Sequence, residues 1–162
     1  MAQTYQEINA YREKNERFFD ENINAPGVEV LPSGVQYKVI TRTNGPRPTG
    51  KSKVTVHYCG KLLNGKEFDN SFKRKKPEVF RVSELIKGFQ DALKAMSVGS
   101  RWVVWIPYKL GYGSRDCGKD IPAYSTLVFE IELINVKNEI LSSESNIKLI
   151  IIKYIKENKN GE

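Results

Sequence analysis

Lys53 to Ser71 reads KVTVHYCGKLLNGKEFDNS, and the first half of this stretch decides the fold. Val54, Val56 and Tyr58 alternate with Thr55, His57 and Cys59, the period of two that a half-buried β-strand needs, and the strand is predicted to run from Lys53 to Leu63. Asn64-Gly65 follows, a pair that tolerates the positive φ angles of a tight hairpin turn.

Outward from this strand the same rhythm recurs. Short apolar runs at Val35–Ile40, Val79–Val82, Arg101–Ile106 and Leu127–Val136 read as further strands, separated by turn-rich loops such as Asn44–Pro48 and Gly111–Asp120. One internal segment has the helical period instead. Leu85, Ile86, Phe89, Leu93 and Met96 repeat at spacings of a helix over Glu84–Met96, with Ser83 placed to cap it and Val98-Gly99 to end it. Several strands around one central helix predict an α+β fold with a mainly antiparallel sheet.

The flanks differ from this middle. Thr4 to Asn22 is charged and free of Gly and Pro, so it reads as a helix that Ala25-Pro26-Gly27 terminates. Tyr5, Ile8, Tyr11, Phe18 and Phe19 form an apolar stripe on it, interrupted by Lys14 and Asn15. Either this stripe pairs two copies of the chain as a homodimer or it packs back on its own domain. Beyond Asn138 the chain turns polar, and Ile147–Ile155 then fits an amphipathic helix (Ile147, Ile150, Ile151, Tyr154) or a strand. The expected division is 1–30, 31–137 and 138–162.

Composition excludes several classes. A hydrophobic share of 40% is enough to build a core rather than a disordered ensemble. The 26 Lys and Arg against 19 Asp and Glu leave the chain at +7, which favours acidic partners. The start of the chain lacks a secretory h-region, and no apolar run approaches the ~20 residues of a membrane span, so a cytoplasmic protein with no membrane partner is expected. Cys59 and Cys117, with the single His57, make neither a zinc site nor a disulfide framework; both are expected as free thiols, and neither metal nor cofactor is called for.

The specific signal lies in the order of short motifs. Val54-Thr55-Val56-His57-Tyr58-Cys59-Gly60 and Gly65-Lys66-Glu67-Phe68-Asp69-Asn70-Ser71 come first. Leu85-Ile86-Lys87-Gly88-Phe89, Val98-Gly99, Ile106-Pro107 and Gly111-Tyr112-Gly113 follow, and the series closes with Ile121-Pro122 and Thr126-Leu127-Val128-Phe129. With these spacings, Gly34 to Val136 resembles the FK506-binding type of peptidyl-prolyl cis-trans isomerase. Leu31-Pro32-Ser33-Gly34-Val35-Gln36-Tyr37 is similar to the approach found in a bacterial branch, where a helical segment precedes the domain.

The resemblance implies a strongly bent sheet wrapped around the helix, with a shallow proline pocket between them. It assigns Tyr58, Phe68, Asp69, Tyr112 and Phe129 to catalysis, and Phe80, Leu85, Ile86, Phe89, Ile121 and Arg74 to substrate binding. Phe89 would be the pocket floor, where the family often has tryptophan, and Tyr112 with the Ile121 backbone N–H would anchor substrate carbonyls. It also implies proline-containing polypeptides as substrates and FK506-class macrolides as inhibitors.

Other readings stand beside these. Asp69 either acts on the distorted amide or orders its loop by pairing with Arg74 and Tyr58. His57, pointing away from Tyr58, reads as structural. Lys73–Lys76 reads as a solvated loop; as a nucleic-acid patch it lacks interleaved aromatic residues, so no nucleic-acid partner is expected.

Overall fold

The computed structural model describes residues 3–138 and 140–159. Its elements are α1 (Tyr5–Asn22), β1 (Val28–Val30), β2 (Gln36–Thr41), β3 (Lys53–Lys61), β4 (Glu67–Asn70), β5 (Glu78–Arg81), α2 (Lys87–Ala95), β6 (Arg101–Ile106), β7 (Leu127–Lys137) and α3 (Ile140–Lys159). The fold is α+β, and every strand pair is antiparallel.

The strand order is β1-β2-β6-β7-β3-β4, with β5 also paired to β3. Two strands share one edge of β3: Lys53–Val56 pairs with β5, and Cys59–Lys61 pairs with β4. On its other edge β3 pairs with β7 along its whole length, with a bulge between Thr55 and Val56.

Alternation decides what each strand buries. Val54, Val56 and Tyr58 of β3, Trp102, Val104 and Ile106 of β6, and Leu127, Phe129, Ile131 and Leu133 of β7 all enter one core. From α2, Phe89, Ala92 and Leu93 complete it, with Met96 at its C-cap. Gly88 permits the close approach of α2: a Cβ there would stand 2.4 Å from Ile106 Cγ2.

The predicted helix is shorter than its apolar period. Val82–Glu84 forms a 3-10 turn, Leu85 is extended, and α2 begins only at Lys87 with Ile86 as a cap that makes no side-chain bond. Ser83 therefore caps nothing. Gln90 instead ties the extended segment to the helix, its Nε2 donating to the Leu85 carbonyl at 2.6 Å. The strand expected to reach Leu63 stops at Lys61, and two short strands, β1 and β4, carry no period long enough to be read.

Hydrogen bonds tie α1 to the domain, and Asn15 is an anchor rather than a break, while Tyr5 of the stripe stays exposed. Asn15 is 1% exposed; its Oδ1 accepts from Thr126 N–H at 2.8 Å while its Nδ2 donates to the Tyr11 carbonyl. Tyr11 Oη lies 2.7 Å from Ser125 Oγ, Tyr108 donates to Glu16 at 2.5 Å, and Gln36 donates to the Phe19 carbonyl. Thr4 starts the helix with a reciprocal capping box to Glu7. The solvent side carries Gln6, Glu13, Arg17 and Asp20, all exposed.

Residues 147–155, open between helix and strand on the sequence, lie within α3. Among the described residues no helix is long and apolar enough to cross a membrane.

Candidate functional site

An open pocket of about 510 Å³ lies over the core between α2, the inner strands and the loop joining β6 to β7. Its base is aromatic because β3, β7 and α2 each contribute an inward ring at the same level. Phe89 is only 4% exposed and meets Phe129 edge-on at 5.0 Å and Tyr58 edge-on at 6.0 Å. Phe68 from β4 stands edge-on to Phe129 at 5.6 Å, and Phe80 from β5 leans on Tyr58 at 5.9 Å. Edge-to-face contacts place positive ring edges against negative faces, which fixes the walls of the box.

One missing side chain closes this box. A Cβ on Gly60 would sit 2.6 Å from Phe68 and 2.8 Å from Phe129. Glycine on β3 lets both rings close over the strand.

The polar side of the pocket is a chain of three groups. Tyr58 donates its phenol to Asp69 Oδ2, and Arg74 donates to Asp69 Oδ1 at 2.5 Å and to Glu78 at 3.3 Å. Burial, then the hydrogen bond to Asp69, pushes the Tyr58 phenol up to about 12. Burial raises Asp69 as well, but the bonds from Tyr58 and Arg74 outweigh it and hold the carboxyl below its usual range. Both Asp69 oxygens are thus occupied. Arg74, expected among the binding residues, does not line the pocket; it stands behind Asp69.

Leu85 and Ile86 reach the pocket through the extended segment ahead of α2, so their positions depend on the late helix start. Opposite them, Tyr112 and Ile121 come from the β6–β7 loop. Tyr112 is 42% exposed, and among the described residues nothing hydrogen-bonds its hydroxyl. The Ile121 N–H is held, but weakly: it donates to the Cys117 carbonyl at 3.3 Å in an isolated bridge, while Cys117 N–H donates back at 2.8 Å.

Ten of the eleven residues singled out on the sequence line this one pocket, with Arg74 the exception. Glu84, Cys117 and Asp120 line it too and were not placed there by sequence. Glu84 belongs to the 3-10 turn read as helix, and Cys117 arrives through its bridge to Ile121, a pairing that leaves no periodic trace. His57 lies elsewhere, stacked on Phe72 at 4.7 Å with Nδ1 2.8 Å from Ser71 Oγ. Both cysteines are free thiols.

Comparison with known proteins gives two family matches. Residues 45–134 match the family described as FKBP-type peptidyl-prolyl cis-trans isomerase, and residues 1–39 match the domain amino terminal to FKBP-type peptidyl-prolyl isomerase. The chain is 41% identical over 131 residues to the FKBP-type 22 kDa peptidyl-prolyl cis-trans isomerase of Escherichia coli (strain K12), covering 81% of this chain and 64% of that one. It is 43% identical over 141 residues to the outer membrane protein MIP of Legionella longbeachae, covering 85% and 60%. The chain thus spans less than two thirds of these curated relatives. The crystal structure of a peptidyl-prolyl cis-trans isomerase from Pseudomonas syringae superposes with a TM-score of 0.78 at 33% identity, covering 85% of this chain and 100% of that one. FkpA from Escherichia coli superposes with a TM-score of 0.77 at 34% identity, covering 82% and 62%.

Proposed function

The chain belongs to the FKBP-type peptidyl-prolyl cis-trans isomerase family, and on that premise we propose that it accelerates X-Pro isomerisation in polypeptides by desolvating and twisting the amide in its aromatic pocket. The observation that carries this reading is the edge-to-face box of Phe89, Phe129, Phe68 and Tyr58, open on one side beside an unengaged Tyr112 hydroxyl.

The chemistry asks for little else. Rotation about an amide breaks resonance, not a σ bond, and meets a barrier of ~18–20 kcal/mol. The planar amide is the more dipolar form, so a dry aromatic site disfavours it relative to the twisted one. Donors that fit only the twisted state add to the rate. Here the proline ring would lie over Phe89, with Tyr112 as the free donor. The Ile121 N–H would exchange its long bond to Cys117 for a substrate carbonyl. Asp69, with both oxygens taken, supports the wall by fixing Tyr58 and Arg74. A barrier lowered by ~7 kcal/mol gives about five orders of magnitude in rate.

A proline-limited refolding assay tests the proposal. Acceleration at catalytic concentrations is expected, blocked by an FK506-class macrolide. Tyr112→Ala and Phe68→Ala should each lower kcat/KM by about tenfold or more, since each removes pocket wall or donor. A correctly folded protein that gives no acceleration at micromolar concentration would overturn it.

We infer further that α1 serves this chain in cis, because Tyr11, Asn15 and Glu16 hydrogen-bond the domain at Ser125, Thr126 and Tyr108. A concentration-dependent dimer in sedimentation, dissolved by Arg17→Glu, would contradict this.

A further inference from the structure

Among the described side chains, neither the core nor the pocket uses α3, yet α3 carries a dense run of exposed apolar side chains. Ile147, Ile150, Ile151, Tyr154 and Ile155 are each between 48% and 67% exposed. At about 3.6 residues per turn these five fall within one arc of roughly 140°. Lys148 and Lys159 border the arc on one side, Glu157 and beyond it Lys153 flank it on the other, and Lys156 lies opposite; Ile152 sits among the lysines. Glu157 is the one acid between residues 147 and 159.

Length and charge narrow what such a face can meet. A bilayer span needs ~20 apolar residues, and this run has nine positions from 147 to 155. A two-helix coiled coil with a second copy draws its stability from about three to four heptads, and this stripe covers little more than one. An apolar arc flanked by Lys148, Lys159 and Lys153, with Glu157 the single acid at its border, instead matches a helix lying in the plane of a membrane interface, where lysine stems reach out to the headgroups. We propose that α3 is such an interfacial helix and that its occupant is an anionic lipid surface. Ile150, Ile151 and Tyr154 enter the acyl boundary, and the flanking Lys148, Lys153 and Lys159 meet phosphate headgroups. Tyrosine suits that depth, with an apolar ring and a wet hydroxyl.

The experiment is vesicle flotation of the full chain, with phosphatidylcholine vesicles in one arm and phosphatidylcholine–phosphatidylglycerol vesicles in the other. Flotation is expected with the anionic vesicles and is expected to weaken as salt rises from about 0.05 M to about 0.5 M. Ile150→Asp with Ile151→Asp should reduce partitioning by about tenfold or more by removing the apolar insertion. Lys148→Glu with Lys153→Glu should reduce it comparably while leaving the apolar arc in place. Unfolding midpoints equal to wild type would certify that both variants keep the fold. Absence of flotation with anionic vesicles at low salt overturns the proposal, as does equal binding to neutral vesicles that neither variant changes. So does wild-type self-association without vesicles that Ile150→Asp with Ile151→Asp abolishes, because a second copy would then cover the face.

Discussion

At the scale of single residues, Tyr58 links stability to pH. An unfolded tyrosine ionises near ~10, whereas Tyr58 is pushed up to about 12 by burial and by its bond to Asp69. The stability that the neutral phenol contributes is therefore complete below about pH 10 and lost as pH rises through about 12. Urea midpoints of wild type and Tyr58→Phe, measured between roughly pH 9 and 12, should converge at the alkaline end. A constant gap would show that the phenol proton is not what holds Asp69. On the acid side Asp69 is depressed, so its contribution is present above ~4, the ordinary aspartate value, and is lost as pH falls through its lower folded value. Activity should accordingly be flat from pH 8 to 5 as far as this group is concerned. Gly60 makes a second test. Gly60→Ala forces Phe68 and Phe129 apart, and overpacking of this kind costs about 1–3 kcal/mol. Thermal unfolding should show that loss, and KM for a proline peptide should rise with it.

At the scale of elements, α1 is held by few but buried contacts. Asn15→Ala would leave the Thr126 N–H, in a fully buried residue, without its acceptor, a loss of about 1–3 kcal/mol. Because Thr126 follows the Ile121-Pro122 segment of the pocket loop, peptide binding should weaken too, and Tyr11→Phe should give a smaller effect of the same sign. An Asn15→Ala protein equal to wild type in both measurements would show that the helix merely rests there. Asn15 also marks the limit of reading elements from sequence. β3, β6 and β7 were legible because one face of each is buried and the other is not, so their side chains alternate. A buried asparagine looks the same on paper as an exposed one, since its acceptor role depends on a partner 111 residues away. The start of α2 was hidden for a related reason: Leu85 and Ile86 are apolar to serve the pocket, and their spacing happens to continue the helical period. The pocket residues themselves were legible through ordered family motifs. The pairing of Arg74 with Asp69 was legible too, whereas the side of Asp69 on which Arg74 stands was not, because a motif gives the association and not the direction.

At the scale of the whole molecule, the site depends on pairings between distant parts of the chain. Phe68, Phe89 and Phe129 come from three separate elements and meet only when β3 lies between β4 and β7. Folding dominated by such non-local contacts is slow, in the millisecond-to-second range for small domains. Stopped-flow refolding should fall in that range, and Leu133→Ala, at a fully buried position of β7, should destabilise by about 2–5 kcal/mol. The position of β7 has one more consequence, in the order of synthesis. It is the last strand of the sheet to be made, yet it lies in the middle, between β6 and β3. Until residue 137 has emerged from the ribosome, β6 and β3 each keep an open edge, and no partial chain can assemble the pocket. A protein proposed to speed the folding of others must therefore wait for its seventh strand before its own sheet can close, and a nascent chain stalled before β7 is left as an aggregation-prone fragment for the cell's chaperones to handle.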